Sequence, residues 1–265
     1  MEQLRLGGHV YDTLVGYSGF VGGTLDRRFA FGHRINSKNS ETLAGLEAEG
    51  VVCAGVSAVK WKANAEPEAD LAHVTSIFEA LKGIRTKRFV LISTIDVYAS
   101  PQHVDESTNL DDEAVHPYGK HRLMFEAWVR DHFEQVNIVR LPGLFGRGLK
   151  KNLIYDLLND NQVENIHPEG QLQWFDMERF PHMLDLAVTR DLPMLNVVAE
   201  PVRSADIRDL IAPGVEIGAK AKAVPLYDVR TLFADLTEGQ NGYHFGASET
   251  LANIGRFARQ EQERS

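Results

Sequence analysis

The chain has 265 residues, 43 % hydrophobic and 25 % charged, an ordinary globular composition whose length suits one large α/β unit with or without a small lobe. A formal net charge of -9 argues against a surface for nucleic acid or an anionic membrane, since both need a basic face for counterion release. No apolar run approaches the length of a membrane span, residues 1–8 lack a signal-peptide core, and a single cysteine rules out an internal disulfide, so a cytoplasmic protein is expected.

Through the first half, short β-rich runs alternate with amphipathic segments, the pattern of a parallel sheet wound with helices. The order predicted is strand 11–15, helix 20–28, strand 29–34, helix 40–49, strand 50–54, helix 67–82, strand 88–93, helix 118–134 and strand 136–141. Cys53 falls in the apolar run 51–54 and reads as a small buried hydrophobe. On helix 118–134, Leu123 with Ala127, Met124 with Trp128 and Phe125 with Val129 pair at four-residue spacing and predict a broad buried face. Further on, helices are predicted at 150–159, 177–189 and 204–211 and a strand at 193–198, while the charged tail from Arg256 to Ser265 is expected to fray.

Gly16, Gly19 and Gly22 stand three apart between the first strand and the first helix, where backbone N–H groups meet a dinucleotide pyrophosphate. Ser18, Phe20 and Val21 complete the loop. Proteins that hold the ribose hydroxyls of NAD usually carry an acid after the second strand. From Arg27 to Ser40 this chain has no Asp or Glu, and Arg34, Ser37 and Lys38 occur instead. These suit a 2′-phosphate, so NADP(H) is the expected cofactor and NAD(H) the alternative. A solvated basic loop is the competing reading.

Tyr118 and Arg122 are four apart on a predicted helix, hence on one face. A phenol titrates near pH ~10, and a neighbouring cation favours its ionised form, so the pair has the makings of an acid/base unit. Lys120 is two positions along and points elsewhere. Ser57, Lys60, Trp61 and Asn64 follow the third strand, and Ala54 closes it; the C-terminal ends of such strands face the cleft in an open α/β sheet.

Four motifs occur in order: 15–22 (VGYSGFVG), 91–98 (LISTIDVY), 117–122 (PYGKHR) with Glu126, and 139–146 (VRLPGLFG). Over about residues 11–148 they resemble the extended short-chain dehydrogenase/reductase family, in its branch of nucleotide-sugar epimerases, dehydratases and reductases. The resemblance implies an α/β fold, a Rossmann-type doubly wound parallel sheet. Its dinucleotide-binding core would span roughly 10–148 and a smaller substrate lobe 149–265. It implies a catalytic set of Thr94, Tyr118 and Arg122, with arginine where the family has the lysine that also holds the nicotinamide ribose. Pro142 matches the family's turn beside the nicotinamide.

Family 4,6-dehydratases follow the threonine with Asp and Glu, and here Ile95 and Asp96 stand instead, so hydride transfer to or from a carbonyl or alcohol of a sugar or nucleotide sugar is expected. An epimerase with bound NAD and a non-catalytic NADP(H)-binding regulator are the alternatives. Lys60, Trp61, Asp96, Lys150 and Asn152 are the candidate substrate contacts, with Gln171, Gln173 and Trp174 given less weight by family analogy. No metal is expected, and a homodimer through the helix bearing Tyr118 is possible.

Overall fold

A computed structural model of the chain describes residues 1–110 and 115–264. Six strands form one parallel sheet: β1 (Thr13–Val15), β2 (His33–Ile35), β3 (Val51–Cys53), β4 (Arg88–Thr94), β5 (Gln135–Leu141) and β6 (Met194–Asn196). Their order across the sheet is β6-β5-β4-β3-β1-β2, so the chain leaves β1 toward one edge for β2 and then returns to the other side for β3. That reversal is the topological switch point where α/β folds of this kind bind ligands. The register is uninterrupted, with Thr13 opposite both His33 and Val51, and Cys53 opposite Leu91.

The strands are recognisable because a parallel strand is buried on both faces and therefore largely apolar. All three residues of β1 and all three of β3 are buried. Cys53 is fully buried, and burial pushes its thiol up to about 12. Among the described residues, eight helices accompany the strands: α1 (Phe20–Asp26), α2 (Lys60–Ala65), α3 (Pro67–Leu81), α4 (Pro117–His132), α5 (Leu153–Asn159), α6 (Phe180–Thr189), α7 (Ser204–Ile211) and α8 (Ala247–Gln262).

Several expectations need correction. The strand expected at 11–15 is split: Tyr11 ends an antiparallel hairpin of Leu4–Leu6 with His9–Tyr11, and the parallel strand starts at Thr13. The strand expected at 29–34 is shorter and later, starting after Gly32. Helix 40–49 reduces to the single turn Ser40–Leu43, because Gly45 takes φ +76 and its N–H bonds the Gly83 carbonyl instead. The tail expected to fray continues α8 to Gln262, burying Ile254, Phe257 and Ala258 on one face; Ser265 lies outside the described residues.

Two compact units are interleaved along the chain. The first comprises 1–99, 109–140 and 181–195 and contains the parallel sheet, with a core of residues such as Val15, Cys53, Phe78, Phe89, Phe125 and Ile138. The second comprises 100–108, 141–180 and 196–265 and packs α5, α7 and α8 around Phe145, Ile154, Trp174 and Ile207. No helix among the described residues is long and apolar enough to cross a membrane.

Candidate active site

The glycine loop sits at the switch point, between β1 and α1. Gly16 has φ +86, and a Cβ there would come within 2.3 Å of the Ala54 carbonyl, so the backbone of β1's exit lies directly on the exit of β3. Gly19 is the N-cap of α1 and no side chain caps that end, so the amide groups of the first turn take no side-chain acceptor from within the loop. Ser18 and Gly19 are exposed. A dinucleotide pyrophosphate fits this cradle.

Past β2 the picture differs from the sequence reading in one respect. Arg34 donates through Nε to Asp26, at the end of α1. No acid follows the second strand, yet one from the preceding helix reaches across to the arginine. Ser37 and Lys38 are exposed beside it, in a loop closed by the side chains of Asn36 and Asn39.

Thr94 ends β4, and its hydroxyl accepts the Asp96 N–H at 3.1 Å, capping the short turn Ile95–Val97. Helix α4 starts against that turn. Its N-cap is His116, whose Nδ1 accepts the Gly119 N–H, so the ring's proton is left on Nε2; Pro117 takes the first helical position. Gly119 is required by closeness: a Cβ would fall 2.2 Å from the Asp96 carbonyl. This approach brings the Tyr118 side chain beside Thr94, near enough for the threonine hydroxyl to favour the phenolate. The Tyr118 N–H donates to the Asn64 side chain on α2.

The buried face of α4 is Tyr118, His121, Arg122, Phe125, Glu126 and Val129, while Met124, expected inside, is 37 % exposed. Lys120 faces solvent. Each titratable residue on the buried face has a buried partner. Glu126 accepts from both Nε and Nη2 of Arg140, at 2.9 and 2.6 Å, and from Ser93; Arg140 also donates to the Tyr98 oxygen.

Arg122 is 4 % exposed, and its guanidinium carbon lies over the Tyr118 ring, 3.9 Å from the centroid. Both of its terminal nitrogens are engaged, by the two carboxylate oxygens of Asp70 and by the carbonyls of Ser57 and Tyr118. Asp70, from α3, also bonds His121 at 2.7 Å. Burial would raise the Asp70 carboxyl, but the hydrogen bonds and charges of Arg122 and His121 outweigh it and hold it below its ordinary value. The Tyr118 phenol is pushed up to about 12: burial dominates, and the downward pulls of Arg122 and of the Thr94 hydroxyl do not overcome it. Asp70 had no signal in the sequence, since it lies 52 residues from its partner.

Of the remaining candidates, Lys60 and Asp96 are brought together as an ion pair at 2.7 Å, and Trp61 is 72 % exposed. Pro142, Lys150 and Asn152 belong to the second unit. The Asn152 side chain caps α5 and donates to the Leu144 carbonyl. In the same unit, Gln173 bonds the backbone of Ala199 and Val229, Trp174 is in the core, and Gln171 pairs in a short strand.

An open parallel sheet with a glycine turn at its switch point, and a Thr–Tyr hydroxyl pair at the end of a central strand, defines the class: α/β proteins built around a dinucleotide cofactor. A model of the NAD dependent epimerase/dehydratase family matches residues 25–172, more than half of the sequence. The chain belongs to that family, and is an NAD(P)-dependent enzyme. The match begins beyond the glycine loop, which is independent support for the same class. Among solved structures, UDP-glucose 4-epimerase from Thermotoga maritima with UDP-glucose is similar with a TM-score of 0.70 at 12 % identity, over 94 % of this chain and 99 % of that one. RMD from Pseudomonas aeruginosa complexed with NADPH gives 0.70 at 18 %, over 94 % and 98 %. The dTDP-4-dehydrorhamnose reductase of Bacillus anthracis in complex with NADP gives 0.70 at 14 %, over 94 % and 98 %. These likenesses establish the fold. No curated protein matches the sequence.

Proposed function

We propose that the protein is an NADP(H)-dependent oxidoreductase of the short-chain dehydrogenase/reductase type, acting on a carbonyl or alcohol of a sugar or nucleotide sugar. The observation that carries this reading is the close approach of α4 to the end of β4, which sets Tyr118 beside Thr94. Tyr118 is the acid/base group and Thr94 the hydroxyl that polarises the substrate oxygen. With its phenol pushed up to about 12, Tyr118 carries its proton at neutral pH and is suited to donate it to a developing alkoxide, the direction of carbonyl reduction.

NADP(H), when bound, supplies or takes the hydride. Gly16, Ser18, Gly19, Phe20, Val21 and Gly22 would hold its pyrophosphate, Arg34, Ser37 and Lys38 its 2′-phosphate, and Ala54 and Pro142 are the further cofactor contacts we assign. Arg122 acts on Tyr118; a ribose contact from its terminal nitrogens would require giving up a bond to Asp70 or a carbonyl. Dehydration is disfavoured because Ile95, 3 % exposed, stands where a 4,6-dehydratase has its acid. Lys60, Trp61 and Asp96 are the substrate contacts we assign in the first unit. Lys150 and the neighbouring Asn152 are those of the second unit, which we read as the substrate lobe. The known sugar-nucleotide ligand of a similar fold, UDP-glucose, supports this class. A homodimer through α3 and α4, which expose Leu71 and Met124, fits the same reading.

One observation favours a second reading, an epimerase retaining NAD: Asp26 already takes the Arg34 cation that a 2′-phosphate would use. Denaturing the purified protein and identifying the released nucleotide by mass spectrometry separates the two. Stoichiometric NAD would point to the epimerase. No retained nucleotide, with NADPH consumed in the presence of a keto-sugar nucleotide, is the outcome for the reductase.

A further inference from the structure

We propose that Asp70 is a positioning residue for Tyr118: it takes both terminal nitrogens of Arg122, holds that guanidinium over the phenol ring, and offsets the positive charge the ring would otherwise face. The inference rests on Tyr118 as the acid of the proposed reaction. It is carried by geometry. Asp70 is 8 % exposed and Arg122 4 %, their forked contact is bidentate, and the guanidinium lies 3.9 Å from the ring centre. Guanidinium and carboxylate planes match in this fork as an ammonium cannot, so the acid on α3 and the arginine on α4 form one rigid device.

Among the described residues, the charged and titratable groups around the phenol come from four elements. Arg122 lies on α4, with His116 at its N-cap, the two rings 6.2 Å apart. Asp70, on α3, also holds His121. Asp96 follows β4 and is paired with Lys60 of α2. Thr94 contributes a neutral hydroxyl. The Asp96 charge is thus met by Lys60 and the Arg122 charge by Asp70, so each of these two charges beside the buried ring has a partner of opposite sign. An arginine at this position without Asp70 would present an uncompensated positive charge against the ring face, which draws a phenol toward ionisation.

The test reads Tyr118 directly and needs neither substrate nor cofactor. Difluorotyrosine placed at position 118 lowers the intrinsic titration into a range where the fold survives and gives a fluorine NMR signal from that residue. Asp70→Asn is expected to lower its titration by roughly one to three pH units. The neutral pair Asp70→Asn with Arg122→Gln is expected to return it close to the parent, and Arg122→Gln alone, which leaves the carboxylate, to raise it. An Asp70→Asn protein with unchanged circular dichroism and an unchanged titration overturns the proposal. If Asp70→Asn does not fold, the decision passes to Arg122→Gln against the double variant, and equal titrations there overturn it equally. In the active enzyme the alkaline limb of the Asp70→Asn pH–rate profile shifts down with the fluorine titration. Absence of any oxidoreductase activity in the parent would count against Tyr118 as the acid of this reaction while leaving the titration result standing.

Discussion

Glu126→Gln isolates the energetic centre of the first unit. Glu126 is completely buried and Arg140 is 1 % exposed; the carboxylate receives both edges of the guanidinium and the Ser93 hydroxyl. Burial works against the Arg140 charge, but the hydrogen bonds and charge of Glu126 raise its pKa further, so the arginine stays charged. Neutralising the glutamate strands that cation in the interior, at a cost of about 3–5 kcal/mol. At about 2–4 °C per kcal/mol for a chain of this size, the melting midpoint falls by on the order of 6–20 °C. The assay is thermal melting followed by circular dichroism at neutral pH, with Glu79→Gln as control. Glu79 pairs with Lys82 at 2.6 Å in solvent, both more than half exposed, and its loss is worth at most about 1 kcal/mol. Replacing both members of the buried pair with leucine and methionine should recover most of the loss, because the penalty arises from one unpaired charge rather than from the absent pair. If Glu126→Gln melts within about 2 °C of the control, the reasoning that this network is desolvated and indispensable to α4 fails.

Gly119→Ala forces a Cβ to 2.2 Å from the Asp96 carbonyl, so α4 must retreat from β4; turnover should fall about a hundredfold while NADPH affinity is retained, measured as kcat and by cofactor fluorescence titration. Arg34→Ala should weaken NADPH binding while leaving NADH nearly unaffected, and equal losses for the two would remove its assignment to the 2′-phosphate. His244 in the second unit is held neutral, burial bringing it down to about 4, so its contribution is complete above pH 6.5 and is lost as pH falls toward 4. At 1.36 kcal/mol per unit that loss is about 3 kcal/mol, and His244→Gln should flatten the dependence of denaturant stability on pH across this window.

What was legible in the sequence is what one period or one spacing encodes. Strand β3 and the centre of β4 announce themselves as apolar runs because both faces are covered, and the glycine loop announces itself because Gly16 tolerates no Cβ beside the Ala54 carbonyl. Hydrophobic counting placed Phe125 and Val129 inside correctly but added Met124 and Ala127, which are exposed, because half of the true face is His121, Arg122 and Glu126, buried in pairs rather than by apolarity. Their partners Asp70 and Arg140 lie on other elements, and nothing local marks them. The same holds for Asp26, whose reach to Arg34 depends on how α1 returns to the sheet. Helix α8 was missed because its apolar stripe is narrow, Ile254, Phe257 and Ala258 among charged residues.

The account turns on the phenolic hydroxyl of Tyr118, and Tyr118→Phe removes it while keeping the ring over which Arg122 is stacked. NADPH oxidation by parent and variant, measured with the keto-sugar nucleotide that the parent turns over, is the direct comparison. A fall in kcat of about 10²–10⁴-fold, with NADPH binding and fold unchanged, is the result expected for loss of a positioned acid. Turnover equal to that of the parent would contradict the assignment of Tyr118 and with it the proposed mechanism.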